Sequence, residues 1–426
     1  MKKDIKELLN FIKEAPTPYH TVKASAERLL KAGFTELKLS EVWQLQPGGR
    51  YFVKVFDSTL LAFALGQEDG SLRVAAAHTD FPCFRLKPQP EIMEDDYGVL
   101  NVEKYGGMML RTWLDRPLAL AGKVALRSAD PFAPQVRLVD FNRPLFTIPS
   151  LAIHMDREVN TEGKLNVQSD MLPLAAVGED ELTEDFFRDW LAEELNVEQE
   201  DILSYELSVY PYEEGSLCGL YEDFVSSPRL DNLTSVLACL QGIMAVDTAK
   251  MTGLRLVALF DNEEVGSQTK QGAGSAVLLQ VLERIYLALG KSREEILAAI
   301  AAGFMLSVDV AHALHPNFMG KCDPSHRTVL GGGVVLKQAA SQSYAGDTEA
   351  VAIVRGVCEA YDIPWQHFVN RSDSRGGSTL GSIASALVPL RTMDIGVPLL
   401  AMHSARELMH GNDQRALAKL IKQILA

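Results

Sequence analysis

The chain is poor in the features that would tie it to nucleic acid, a bilayer or an oxidising compartment. Its 41 Lys and Arg are outnumbered by 56 Asp and Glu, a formal charge of −15. That balance argues against polyphosphate or an anionic membrane surface as the main partner. Cysteine is scarce: Cys83, Cys218, Cys239, Cys322 and Cys358 are scattered without a CxxC pair. Neither a disulfide framework nor a thiolate metal site is therefore expected, and the five read as reduced thiols of a cytoplasmic protein. No apolar run is long enough to cross a bilayer. The start, MKKDIKELLNFIKEAPTPYH, sets Ile5, Leu8, Leu9 and Ile12 at helical spacing among charges. That is an amphipathic helix ended by Pro16 and Pro18, and it lacks the continuous apolar core of a signal peptide. Internal repeats and low-complexity tracts are missing. The glycine-rich stretches KQGAGS and RGGSTLGS lack the Gly-Lys-Ser/Thr order of a P-loop, and Ser267 and Ser404 lack a nucleophile-elbow context.

What is present is a globular chain of 426 residues, long enough for two or three domains. The first 85 or so residues read as helix and then short strands around Tyr51–Val55, Leu60–Leu65 and RVAAAHTD. A proline-rich, acidic stretch, KPQPEIMEDDYG, reads as a boundary. From about 98 to 225 short β-rich pieces (GMMLRTWL, GKVALRS, QVRLVDF, ILSYELSVYPY) alternate with turns around one helix at Glu184–Leu195, preceded by an acidic run, Glu179–Glu184, that reads as a solvated helix start. Beyond 226 helices and strands alternate, which predicts an α/β sheet with helices on both faces. The expected organisation is an α/β domain of residues 1–88 and 225–426, interrupted by a β-rich insertion of residues 89–224.

Four apolar runs end in the same chemistry. RVAAAHTD ends in His78 and Asp80; LRLVALFDNEE ends in Asp261, Glu263 and Glu264; GFMLSVDVAHALH passes through Asp309 to His312 and His315; VPLLAMHSARE ends in His403 and Glu407. In an open α/β sheet ligands bind beyond the carboxyl ends of the strands. One acidic residue after one strand is usually a turn residue or a helix cap. Repetition over four strands is the pattern of a metal site built from carboxylate and imidazole, which suits Zn, Co or Mn. SSPRLDNL adds Asp231, a plausible bridging carboxylate. The adjacent glutamates Glu263 and Glu264 are costly side by side unless a cation, a proton or solvent relieves them.

These motifs, in order, resemble the aspartyl aminopeptidases, the tetrahedral, dodecameric group of dizinc aminopeptidases. The resemblance runs through PTPYH, AAHTDFPCFRLKP, IPSLAIHMDREVN, SSPRLDNL, FDNEEVGSQTKQGAGS, SVDVAHALHPN, GGSTLGSIAS and DIGVPLLAMHSARE, nearly the whole chain. It implies a zinc-exopeptidase-like α/β domain and an inserted β-rich domain for dimerisation or oligomerisation. It implies two divalent ions, with His78, Glu264, Asp309 and His403 as terminal ligands and Asp231 as the bridge. Glu263 would be the general base for a metal-bound water, and Asp80 would orient His78. His154 would reach the active site of a neighbouring subunit, and Lys337, at the end of GGGVVLK, would read an acidic N-terminal side chain. Short peptides with a free N-terminus are the implied substrates. Two departures bear on that preference: Gly331–Gly332–Gly333 replaces a His-Lys-Gly type sequence, and Phe81 stands where the family often has serine. Aminopeptidases of neutral or basic preference, a non-peptide amidohydrolase and a non-catalytic scaffold are the alternatives.

Overall fold

The computed structural model describes residues 2–161, 163–178, 182–374 and 376–426; the first part of the acidic run Glu179–Glu184 lies outside them. The chain divides into two compact units. The first comprises Met1–Phe81, Gly215–Met402 and Glu407–Ala426, and the second Pro82–Glu214 with His403–Arg406. The sequence-based limits at 88/89 and 224/225 differ from these. The strand Cys83–Glu94 runs unbroken through Pro88 and Pro90, so the stretch read as a boundary is the end of that strand, a turn at Asp95 and Asp96, and the start of the strand Tyr97–Tyr105. Its register against Tyr97–Tyr105 shifts between Leu86 and Glu91, where prolines, which cannot donate to a ladder, are tolerated.

The first unit is built on a nine-stranded mixed sheet. From one edge its strands are Thr35–Leu37, Arg50–Val55, Thr59–Leu65, Leu254–Phe260, Leu72–His78, Phe304–Val308, Arg391–Gly396, Val334–Lys337 and Trp365–Phe368. The central four, Leu254–Phe260 to Arg391–Gly396, are mutually parallel. Their residues alternate between two cores. Ala75, Ala77, Val257 and Leu259 face one with the helices Lys2–Glu14, Leu230–Met244 and Gly411–Leu425. Val74, Ala76, Leu256, Ala258 and Phe260 face the other with Val277–Ala288, Arg293–Ala301 and Leu380–Leu387. Burial on both faces explains why these strands read as continuous apolar runs. Near the N-terminus, Pro16 and Pro18 do end the first helix, but Pro18 also opens a second, Pro18–Lys31, whose N-cap Thr17 accepts the His20 amide hydrogen. Proline suits that first helical position.

The second unit is a six-stranded antiparallel sheet in the order Gln135–Asp140, Leu118–Leu126, Ile202–Pro211, Cys83–Glu94, Tyr97–Tyr105 and Leu174–Val177. The helix Phe186–Leu195 packs Phe187 and Leu191 into its core. GMMLRTWL, expected as a β piece, holds a 3-10 turn at Leu110–Trp113 instead. That turn delivers Trp113 edge-on to Phe84, with ring centroids 5.2 Å apart. Among the described residues no helix is long and apolar enough to cross a membrane.

Candidate metal centre

The site lies where the parallel strands of the first unit end. Leu72–His78 has a parallel neighbour on each side, Leu254–Phe260 and Phe304–Val308, and the carboxyl ends of such strands are the usual place for a ligand in an open α/β sheet. Phe260 pairs in register with His78, which puts the chain after Phe260 level with His78. Asp309 follows Val308 directly. Its backbone runs so close to the neighbouring strand that a Cβ at Gly396 would sit 1.7 Å from the Asp309 carbonyl oxygen.

His78 is 1% exposed. Its Nδ1 lies 3.0 Å from the Asp80 carbonyl oxygen and 3.4 Å from Asp80 Oδ1. That contact orients the ring and leaves Nε2 toward Asp231 Oδ1 at 3.3 Å and Asp309 Oδ1 at 3.5 Å. The Asp80 carboxylate grips the next strand end as well. Oδ1 accepts the Glu263 amide hydrogen and Oδ2 that of Glu264, each at 3.1 Å. This fixes the 3-10 turn Glu263–Val265, entered through Asn262 in the left-handed conformation and left through Gly266. Asp261 and Asn262, acidic and polar after an apolar strand, hold the turn from behind: Asn262 donates its amide hydrogen to Asp261 Oδ1 and its Oδ1 accepts from the Thr269 hydroxyl.

Ligand atoms of His78, Asp231 and Asp309 lie within 4.8 Å of one another, and so do those of His78, Glu263 and Glu264. Electrostatics record the crowding. Burial pushes the Glu263 carboxyl up to about 8, and the carboxylates of Asp309, Asp80 and Asp231 push the same way against His78. Burial would lower the His78 imidazole, but contacts with Asp231, Asp309 and Asp80 outweigh it and raise it well above its ordinary value. Such a set of buried oxygen donors with one imidazole fits a divalent cation, and oxygen and nitrogen donors without sulfur fit zinc.

Lys337 is 1% exposed. Its ammonium donates to the Val310 carbonyl at 3.1 Å, lies 3.6 Å from Asp309 Oδ2 and sits 5.2 Å from the Tyr344 ring centroid. Burial opposes its charge, but Asp309 and Asp394 hold the ammonium above its ordinary value. Tyr344 does not stand out in the sequence, since SYAGD carries no signal beyond turn composition. The glycine triplet before Lys337 has a structural reason. Gly331 and Gly333 have φ of +84° and +93°, and a Cβ at Gly333 would meet the Pro364 carbonyl oxygen at 2.0 Å. Their amides donate to the two carboxylate oxygens of Asp413, each at 2.8 Å. Phe81, the other departure, is buried under the Arg229 guanidinium, 5.6 Å from its ring centroid.

The structure thus brings His78, Asp80, Asp231, Glu263, Glu264, Asp309 and Lys337 together in the first unit. His403 and His154 belong to the second. There His403, at φ +64°, has Nδ1 2.7 Å from the Gly107 carbonyl oxygen, which makes Nε2 the nitrogen suited to a metal. His154 is exposed on a turn between exposed Ile153 and Met155. His312 and His315, also on a strand-end run, lie beside Phe368 and Phe318 with the rings tilted and their centroids 6.1 Å and 4.9 Å apart.

The family model of the aminopeptidase I zinc metalloproteases (M18) matches residues 11–424. The chain is 45% identical to a probable M18 family aminopeptidase 2 of Clostridium novyi over 99% of both chains. It is 43% identical to that of Clostridium acetobutylicum over 95% of this chain and 94% of the relative. Among solved structures, that of the Ape4 and Nbr1 complex has a chain 33% identical, with a TM-score of 0.94 over 98% of this chain and 84% of that one. The S. cerevisiae mApe1 dodecamer is 26% identical, with a TM-score of 0.84 over 98% and 95%. The chain belongs to the M18 family of zinc aminopeptidases.

Proposed function

We propose that this zinc aminopeptidase holds two ions and removes N-terminal residues, Asp and Glu foremost, from short peptides, with Glu263 as the general base. The observation that carries the reading is the gathering of His78, Asp231 and Asp309 beside the Glu263–Glu264 doublet. One ion would be held by His78 and Asp309, the other by Glu264 and His403, with Asp231 shared between them. The His403 role rests on the motif HSARE and on the nitrogen its Gly107 contact leaves for a ligand.

When bound, zinc polarises a carbonyl and makes a water acidic enough to attack near neutral pH. The chain's own groups do the rest. Glu263, anchored by its amide to Asp80, takes the proton of the attacking water on its carboxylate and passes it to the leaving amine nitrogen. Asp80 holds His78 in the tautomer that keeps Nε2 toward Asp231 and Asp309. A doublet that is costly as structure is sensible as chemistry, because one glutamate is neutralised as a ligand while its neighbour stays a base.

Lys337, a buried cation beside Asp309, supports an acidic preference. The exposed apolar side chains Leu151, Ile153 and Met155 around His154 support a subunit contact there, with His154 serving a neighbouring site. The dodecameric relative supports the same assembly here. All five thiols are free, in keeping with a reducing cytoplasm.

The test is hydrolysis of dipeptides with Asp, Glu, Leu, Lys or Ala at the N-terminus, each free and N-acetylated, in zinc, cobalt or manganese buffer. Cleavage of free substrates alone, ranked Asp and Glu first, is the expected result. A ranking led by Leu or Lys would remove the acidic preference. Cleavage of acetylated substrates would contradict an aminopeptidase and point to a different amidohydrolase.

A further inference from the structure

Glu407 ends the fourth strand-end motif, yet neither metal ligation nor proton transfer uses it. We propose that Glu407 is a positioning residue of the metal centre, holding the backbone of Asp231 from behind and adding negative charge beside it. The inference rests on the reading of Asp231 as a metal ligand.

Glu407 is 2% exposed and opens the short strand Glu407–His410, which pairs antiparallel with Phe224–Ser227 so that Glu407 faces Ser227. From Ser227 the chain passes through Arg229, at φ +59°, to Asp231. There Glu407 Oε2 accepts the Asp231 amide hydrogen at 3.0 Å. Asp231 has φ −78° and ψ 108°, outside helical values. It lies at the start of a helix, where amides lack a carbonyl in a preceding turn. The next residue is tied as well: Asn232 Nδ2 donates to the Val308 carbonyl at 2.9 Å, directly before Asp309. Asp231 is thus held between the strand carrying Glu407 and the end of the strand that leads into Asp309.

The charge is the informative part. A glutamine would accept the same amide hydrogen without burying another anion behind an acidic cluster. An extra buried carboxylate is costly beside like charges and becomes favourable when cations lie close. Positioning the backbone needs only an acceptor at that place; a carboxylate there also adds negative charge beside ligands that hold dications.

The test uses the full chain with Glu407→Gln, zinc affinity being measured by competition with a chelator and unfolding being followed on the metal-free protein. We expect zinc binding weakened about 10- to 100-fold, the usual effect of altering a group behind a ligand, with the metal-free protein no less heat-stable than wild type. Unchanged zinc affinity overturns the proposal, as does a loss of metal-free stability with affinity intact. Should Glu407→Gln fail to fold, Glu407→Asp, which keeps the charge but withdraws it from the amide, is expected to weaken zinc too, and wild-type affinity there overturns the proposal. Asp231→Asn separates the two readings. If it keeps its full zinc, Asp231 is no ligand and the proposal falls with that reading. If it loses zinc while Glu407→Gln keeps it, only the role of Glu407 fails.

Discussion

The two carboxylate oxygens of Asp80 each take one amide hydrogen from the Glu263–Glu264 pair, at 3.1 Å, while the same residue orients His78 through its carbonyl. One residue therefore sets the mutual placement of two strand ends. Asp80→Asn keeps only one acceptor oxygen and turns the other position into a donor facing an amide. The lost contact costs about 1–3 kcal/mol in a buried site. We predict kcat lowered about 10- to 100-fold with KM changed less than about threefold, checked by steady-state kinetics on a dipeptide.

Removing the metal should show in stability as well as in activity. Without a cation the carboxylates of Asp231, Glu263 and Asp309 face one another in a buried cluster around His78. Chelation is expected to abolish hydrolysis and lower the melting temperature, and zinc should restore both. At free zinc about 1,000-fold above its Kd the stabilisation is about 4 kcal/mol. Calorimetry of metal-free and zinc-loaded protein checks this.

Acid should destabilise the fold through a residue that is not among the proposed metal ligands. His20 is buried, with Nδ1 2.8 Å from the Thr17 hydroxyl. Burial first, then Lys23 and Arg229, lower its pKa to about 4. The folded state thus keeps His20 neutral where the unfolded chain, with its pKa near 6.5, takes up a proton. Its contribution is complete above about pH 6.5 and fades as pH falls toward 4, by about 3 kcal/mol in all. Urea unfolding at pH 7 and pH 4.5 should show His20→Gln losing about 2 kcal/mol less than wild type over that interval.

The glycine triplet before Lys337 yields a prediction opposite to a specificity role. At Gly333 φ is positive, and a side chain's Cβ would lie 2.0 Å from the Pro364 carbonyl oxygen, which leaves no space for one. Gly333→Ala is expected to destabilise the protein by about 2 kcal/mol or more, read as a lower melting temperature, while the ratio of activities on Asp and Leu substrates in the surviving fold stays within about twofold.

Much of the centre is legible in the sequence because a parallel sheet buried on both faces forces its strands to be apolar and its polar groups to collect at their ends. His78, Asp80, Glu263, Glu264 and Asp309 all stand out for that reason. What could not be read there depends on partners far along the chain. Glu407 stands out as a strand-end residue, but its partner, the Asp231 amide, lies 176 positions away. Lys337 after VVL reads as an ordinary strand-end lysine, yet it is enclosed by Asp309, Val310 and Tyr344. The strand through Pro88 and Pro90 defeats a boundary reading because the register shift between Leu86 and Glu91 absorbs both prolines.

The most direct test is Glu263→Gln in the full-length protein, with zinc per chain and dipeptide turnover measured on the same preparation. Glutamine keeps the amide anchored to Asp80 and the shape of the side chain but cannot take a proton. We predict full zinc content and kcat reduced about 10²- to 10⁴-fold. Turnover near wild type with zinc in place would contradict Glu263 as the base.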